Sequence, residues 1–222
     1  MRSIANVLNT YAIFCQSLLQ SVWCKSYLRS SWLFLVELIK RPGAVGAVWP
    51  SSRALAFAMA RQLPAEGTGL IVELGAGTGS VTAALLESGI PPGRLLIVER
   101  SPAFVQHLRR QFPKIKIIQG DATQLQTIVP ENTGVDAIVS SLPLRSLAAA
   151  EVSAVVEQWR RVLGTSGIVV QFTYDLRGLI NENVGGFMEQ AKCLVWKNIP
   201  PARVSKLSRC RCTETICNNQ AT

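Results

Sequence analysis

From residue 70 onward, short apolar runs alternate with amphipathic stretches along the chain. The apolar runs predict strands at 70–74, 94–99, 115–119, 135–140, 167–174, 191–197 and 202–207. The amphipathic stretches predict helices at 79–88, 102–111 and 151–162, after an earlier helix that begins at Ser51 or Ser52 and runs to about Gln62. This alternation predicts an α/β fold: a mostly parallel, seven-stranded sheet with helices on both faces.

The first 41 residues follow a different pattern. Apolar side chains recur at helical spacing from Ile4 to Val22, with a polar opposite face, and a shorter apolar run extends from Trp32 to Ile39. Neither stretch matches the roughly 20 apolar residues that a transmembrane helix needs. We therefore predict amphipathic helices on a membrane surface, or alternatively helices that cover the folded domain. The expected domains are a membrane-associating extension at 1–41, the main domain at 42–208 and a flexible tail at 209–222.

Charge is concentrated at the two ends of the chain. The formal net charge is +9, and residues 1–61 hold seven basic side chains against the single acid Glu37. Basic terminal segments favour binding to a polyanion, which could be a nucleic acid or an anionic membrane surface. Because no secretory signal is evident, the six cysteines predict free thiols in a reducing cytoplasm. Cys210, Cys212 and Cys217 lack a fourth ligand at suitable spacing, so we expect no metal site.

Glu73 lies near the end of the first predicted strand, and three glycines, Gly75, Gly77 and Gly79, follow that strand. Glycine lets the backbone approach a ligand closely, and the following helix N-terminus offers unpaired N–H groups. The spacing is G-x-G-x-G, so the third glycine comes one residue earlier than in the dinucleotide fingerprint. This loop resembles the cofactor loop of class I S-adenosylmethionine-dependent methyltransferases, which have a Rossmann-like fold.

Two further acids follow the next two predicted strands. Glu99 ends the second strand, where a carboxylate can accept from both ribose hydroxyls and would repel a 2′-phosphate. Asp121 follows the third strand and can accept from an adenine amino group. The resemblance implies S-adenosylmethionine as cofactor, bound by Glu73, Gly75, Ala76, Gly77, Thr78, Glu99, Arg100, Gly120, Asp121, Ala122 and Ser140.

The fourth predicted strand ends in a serine pair and a proline turn, from Ser140 to Leu144. It resembles the N-x-P-aromatic motif of amino-group methyltransferases, including rRNA adenine dimethylases. There a polar side chain and the carbonyl before proline orient the target nitrogen, and orientation supplies much of the catalysis. Ser141 replaces the usual Asn or Asp, and Leu144 replaces the aromatic. Without the aromatic residue, a nucleobase would lose a stacking platform worth about 1–3 kcal/mol, which argues against a nucleic-acid substrate.

Taken together, the chain resembles bacterial phospholipid N-methyltransferases. The residues that carry this resemblance are 50–52, 73–79, 112–113, 120–122, 140–144, 171–174 and 198–202. The resemblance implies successive methyl transfers to the amine of phosphatidylethanolamine. It also implies acceptor-side roles for Ser140, Ser141, Leu142, Pro143 and Tyr174.

The expected partners are a phospholipid substrate and an anionic membrane surface, contacted through 1–41, at the inner face of the cell membrane; no nucleic acid is expected. Three alternatives remain open at this point. One is a nucleic-acid adenine N6-methyltransferase, and another is an ornithine-type aminolipid N-methyltransferase. The third is a membrane-binding protein with a vestigial methyltransferase fold. The identity of the general base (water, Tyr174 or the lipid phosphate), the number of transfers and the oligomeric state also stay open.

Overall fold

The computed structural model describes residues 52–64, 66–176, 183–198 and 200–209. The predicted extension 1–41 and residues 210–222 of the predicted tail lie outside the described residues. Arg209, predicted as the first residue of that tail, is the last residue of a strand.

The elements follow the predicted order. They are α1 (Arg53–Ala60), β1 (Leu70–Leu74), α2 (Ser80–Glu87), β2 (Leu95–Glu99), α3 (Pro102–Gln111), β3 (Lys116–Gln119), α4 (Leu125–Ile128), β4 (Val135–Ser140), α5 (Ala149–Val162), β5 (Leu163–Thr173), β6 (Asn183–Val184), β7 (Phe187–Val195) and β8 (Ala202–Arg209). Single 3₁₀ turns occur at Pro92–Arg94, Ala122–Gln124 and Leu144–Ser146.

One sheet contains all of these strands, in the order β3-β2-β1-β4-β5-β8-β7-β6. Strands β1 to β5 are parallel, and β6, β7 and β8 are antiparallel to their neighbours. The predicted α/β class is confirmed, and the two-residue β6 is added to the seven predicted strands. The chain proceeds outward from β1 to β3 and then returns to β4 on the other side of β1. Ligands of open α/β sheets bind at such a reversal, beside the carboxyl ends of the strands.

Helices cover the sheet on both faces because each strand alternates its side chains between two apolar clusters. One cluster joins the sheet to α1, α2 and α3 through residues such as Leu55, Leu85 and Leu108. The other joins it to α4 and α5 through residues such as Leu125 and Trp159. The two faces are called here the α1–α3 face and the α5 face.

Three local predictions were wrong. Strand β7 covers Phe187–Val195 instead of 191–197, because a register shift between Glu189 and Ala191 interrupts its alternation. Strand β5 begins at Leu163 instead of 167. Ser101 precedes α3 as predicted, but its side chain makes no capping hydrogen bond. Ser52 does cap α1, since its side chain accepts from the Leu55 N–H at 3.2 Å.

Candidate active site

The glycine-rich loop between β1 and α2 combines one crowded position with one open position. A Cβ on Gly79 would lie 2.5 Å from Cε2 of Phe112, and φ at Gly79 is +83°, so this turn requires glycine. Gly77 is also left-handed, with φ of +55°, but no heavy atom lies within 4 Å of the place where its Cβ would be. The loop therefore packs tightly against α3 and leaves space beside Gly77 that a ligand could fill.

Glu99 ties this loop to the next strand and helix. Its carboxylate is 7% exposed, accepts the N–H of Gly77 at 3.0 Å and accepts the N–H of Ser101 at 2.8 Å. Each carboxylate oxygen has a second lone pair that can accept from a ligand. The predicted acid at the end of β2 thus lies against the open part of the loop.

Glu73 is the second acid at this edge, and it is fully buried. Its Oε2 accepts from the Thr82 hydroxyl on α2 at 2.7 Å, whereas its Oε1 has no hydrogen-bond partner among the described residues. Burial, with a contribution from the neighbouring Glu99 charge, raises the pKa of Glu73 to about 7. At neutral pH this carboxyl therefore divides its time between its charged and neutral forms.

Asp121 caps the turn that follows β3. Its Oδ1 accepts both the backbone N–H of Thr123 at 2.9 Å and the Thr123 hydroxyl at 2.8 Å. The backbone hydrogen bond lowers the pKa of Asp121, so the side chain is ionised at neutral pH. Oδ2 lies 3.9 Å from Nε of Arg100, which is the closest approach of these two predicted cofactor-binding residues. Only Oδ2 remains for a ligand, since Oδ1 serves the cap.

Residues 141–144, called here the acceptor turn, lie directly beside the glycine-rich loop. The Ser141 N–H donates to the Leu74 carbonyl at 2.9 Å, and a Cβ on Gly75 would lie 3.0 Å from Cδ2 of Leu142. Pro143 has φ of −79° and ψ of 66°, the backbone angles of an inverse γ-turn. The predicted acceptor residues and the predicted cofactor loop are therefore neighbours in the fold.

The motif predicted that the Leu142 carbonyl would be free to accept a hydrogen bond from the target nitrogen, but the structure shows it already occupied. It already accepts the Leu144 N–H at 2.9 Å and the Gln171 side-chain amide at 3.0 Å. A carbonyl oxygen has two lone pairs, so this one is fully used. Ser140 is also buried and supports the turn from within, because its hydroxyl accepts the Leu142 N–H at 3.4 Å.

Tyr174 directly follows the last residue of β5, Thr173. Its ring packs edge-on against Phe172, with ring centroids 5.4 Å apart, and its hydroxyl is hydrogen-bonded to Asn198. Burial raises the pKa of Tyr174 above its ordinary value of 10.0. The phenol therefore keeps its proton at neutral pH, which makes Tyr174 unsuited to act as the general base considered in the sequence analysis.

Comparisons with known proteins decide the family. Residues 71–167 match the methyltransferase domain family. Over 151 residues the chain is 30% identical to the ornithine lipid N-methyltransferase of Singulisphaera acidiphila, covering 66% of this chain and 79% of that protein. The chain belongs to the class I S-adenosylmethionine-dependent methyltransferases. It is therefore an enzyme, and the vestigial-fold alternative is no longer needed.

Solved structures show the same fold for this methyltransferase. The N-methyltransferase NodS from Bradyrhizobium japonicum, in complex with S-adenosyl-L-homocysteine, has a TM-score of 0.63 at 14% identity, covering 79% of this chain and 98% of that chain. TrmN from Thermus thermophilus has a TM-score of 0.57 at 18% identity and covers 71% of this chain. This chain spans about half of TrmN, 49% of its length. At such identities the likeness concerns the fold alone.

The residues present fit S-adenosylmethionine, the cofactor of this family. The space beside Gly77 gives access to the loop backbone, and Glu99 offers acceptor lone pairs at its border. The unpaired Oε1 of Glu73 suits a ligand that carries positive charge. When bound, the cofactor supplies an electrophilic methyl group on a positively charged sulfur.

Three polar residues of this region were not assigned a role from the sequence. Thr82 holds Glu73, Gln171 holds the acceptor turn, and Asn198 accepts the Ser52 N–H at 3.0 Å. Gln171 and Asn198 are both nearly buried. A polar residue within an apolar stretch, as at Thr82 in α2, was the one available signal, and it does not identify the partner.

Two findings concern metals and membranes. Among the described residues, no group of three His, Cys, Asp or Glu side chains could hold a metal ion. Cys210, Cys212 and Cys217 lie outside that part of the chain. No helix within the described ranges has both the length and the hydropathy needed to cross a bilayer.

Proposed function

We propose that this methyltransferase transfers methyl groups from S-adenosylmethionine to the primary amine of a membrane lipid. The observation that carries the proposal is the 30% identity to an ornithine lipid N-methyltransferase over 79% of that protein. The motif of the acceptor turn, which resembles that of amino-group methyltransferases, also supports an amine. Phosphatidylethanolamine, favoured by the sequence motifs, and ornithine lipid, favoured by the relative, are the two candidate substrates.

In this proposal the protein binds and orients the amine beside the glycine-rich loop. The nitrogen needs a free lone pair, so an ammonium group must first lose a proton. Water takes this proton, or the lipid phosphate where the substrate is phosphatidylethanolamine, since Tyr174 holds its own. The product nitrogen is positively charged in the fully methylated state, and buried oxygen atoms at the strand ends stabilise that charge.

Residues 1–41 hold the enzyme reversibly on the inner face of the cell membrane in this proposal. The supporting features are the one-sided apolar pattern from Ile4 to Val22 and the basic residues Lys25, Arg29, Lys40 and Arg41. Each basic side chain near an anionic surface contributes about 1 kcal/mol. Vesicle flotation of the full chain should show binding that depends on anionic lipid and weakens with salt. Equal binding to neutral vesicles would refute the electrostatic part.

Transfer of labelled methyl groups tests the substrate directly. The full-length protein is incubated with labelled S-adenosylmethionine and, separately, phosphatidylethanolamine, ornithine lipid and ribosomal RNA. Label is expected in one or both lipids. The control is Gly77→Asp, which puts a carboxylate into open space at a left-handed position that Asp tolerates. This variant should fold but lose cofactor binding and label transfer. Label in RNA alone would favour the nucleic-acid alternative, and label in no substrate would contradict the proposal.

A further inference from the structure

The side chain of Gln171 has a fixed orientation at the end of β5. Gln171 is 5% exposed, and its amide nitrogen donates to the carbonyls of Leu142 at 3.0 Å and Phe172 at 2.8 Å. Both neighbours are acceptors, so only the NH₂ end of the amide can face them. The oxygen end, Oε1, must point away from these two carbonyls.

Two buried oxygen atoms at this edge have no hydrogen-bond partner among the described residues: Oε1 of Gln171 and Oγ of Ser141. Leaving a buried acceptor unpaired is destabilising, and folded proteins contain few such atoms. Ser140 is the residue of β4 that is paired in the sheet with Gln171, so side-chain alternation places Ser140 and Gln171 on the same face. Oε1 of Gln171 is by itself an acceptor that requires a hydrogen-bond donor.

We propose that Gln171 is a catalytic residue that binds the methyl acceptor, with its Oε1 accepting an N–H group of the acceptor amine. This inference rests on the proposed amine-lipid function. Gln171 then performs the orienting task that the motif had assigned to the Leu142 carbonyl, which already has two donors. An entering N–H replaces an unpaired buried acceptor with a hydrogen bond, so it contributes more than the same bond in water.

The number of N–H groups on the amine gives this role a specific signature. A neutral primary amine has two N–H groups, its monomethyl derivative has one, and its dimethyl derivative has none. Loss of the Gln171 oxygen should therefore slow the first methyl transfer most and the third least. A residue that only supports the fold would affect all three transfers alike.

The test compares the wild type with Gln171→Met, a substitution of similar length that keeps apolar packing and removes the acceptor. Mixed micelles carry phosphatidylethanolamine, or ornithine lipid where the wild type prefers it, together with its mono- and dimethyl derivatives. Because Gln171→Met also removes the NH₂ group that holds the acceptor turn, all three lipids share one loss. We expect kcat/KM to fall at least ~10-fold further for the primary amine than for the dimethyl lipid, with the monomethyl lipid between them. Cofactor Kd should not change.

Two further variants make the comparison decisive. Gln171→Leu removes the same acceptor and should give the same graded loss, so it keeps the inference testable if Gln171→Met does not fold. Gln190→Met, at an exposed position of β7, is the matched control and should leave all rates unchanged. An equal loss on all three lipids, or no loss on the primary amine, would overturn the inference. A wild type that methylates none of these lipids would instead refute the proposed function.

Discussion

Replacement of Glu73 by Gln should make the protein more stable, relative to the wild type, at alkaline pH than in acid. Burial raises the pKa of Glu73 from its ordinary 4.5 to about 7, so the folded state binds the proton more tightly than the unfolded chain does. Unfolding therefore releases this proton between pH 4.5 and 7. Consequently the free energy of unfolding decreases as the pH rises through that range and is level above it. Since one pKa unit equals about 1.4 kcal/mol, the total penalty at pH 8 is about 3 kcal/mol.

Glu73→Gln removes this titration while preserving shape. The new side chain can still accept from Thr82, and its NH₂ group takes the place of Oε1, which has no partner among the described residues. Replacing Oε1 by an NH₂ group changes the free energy of unfolding by an amount that does not depend on pH. The informative quantity is the difference in unfolding free energy between variant and wild type. It should be about 2–3 kcal/mol more favourable to the variant at pH 8 than at pH 5.

Urea denaturation followed by circular dichroism at pH 5, 6, 7 and 8 measures this difference. Glu66→Gln is the matched control, because it removes one negative charge at an exposed position. The control should show no comparable trend with pH. If the stability difference between Glu73→Gln and wild type were the same at pH 5 and pH 8, the assignment of a buried, proton-binding carboxyl at this position would be wrong.

Two other substitutions test how the glycine-rich loop and the base of the sheet are held. Gly79→Ala should destabilise the fold by more than about 1 kcal/mol, since its Cβ would lie 2.5 Å from the Phe112 ring at a left-handed backbone position; thermal unfolding measures the loss. Arg94→Met should cost about 1–3 kcal/mol in urea unfolding, because Arg94 donates to Asp136 and to the Gly69 carbonyl, both at 2.9 Å, from a largely buried position.

The fold was predictable because its signals are local. Each inner strand contains a short apolar run, such as Leu95 to Val98 in the entirely buried β2, and such runs are typical of parallel strands covered on both faces. The glycine spacing between Glu73 and Gly79 likewise depends on backbone requirements that a few adjacent residues specify. Strand β7, whose outer side pairs only with the two-residue β6, was placed less well, because its exposed residues carry no strict alternation and a bulge shifts their register.

The partners of the site residues were not predictable, because they depend on contacts between distant segments. Gln171 reaches the Leu142 carbonyl across 29 positions, and nothing in either segment indicates that this bond exists. The Asp121 carboxylate was expected to accept from an adenine amino group, and the sequence did not indicate that one of its oxygens caps its own turn. Motif resemblance assigned the orienting role to the Leu142 carbonyl, whose two lone pairs the fold already uses.

Side-chain alternation separates the two halves of the proposed reaction across the sheet. Glu73 and Glu99 follow Ile71 and Ile97 at two-residue spacing, so their side chains lie on the α1–α3 face. Gln171 follows Val169 in the same way and lies on the α5 face. The acceptor turn connects the faces, since it contacts the glycine-rich loop on one side and Gln171 on the other. Substitutions on the α1–α3 face should therefore change cofactor Kd without altering the preference among amines. Substitutions on the α5 face should alter that preference at constant cofactor Kd.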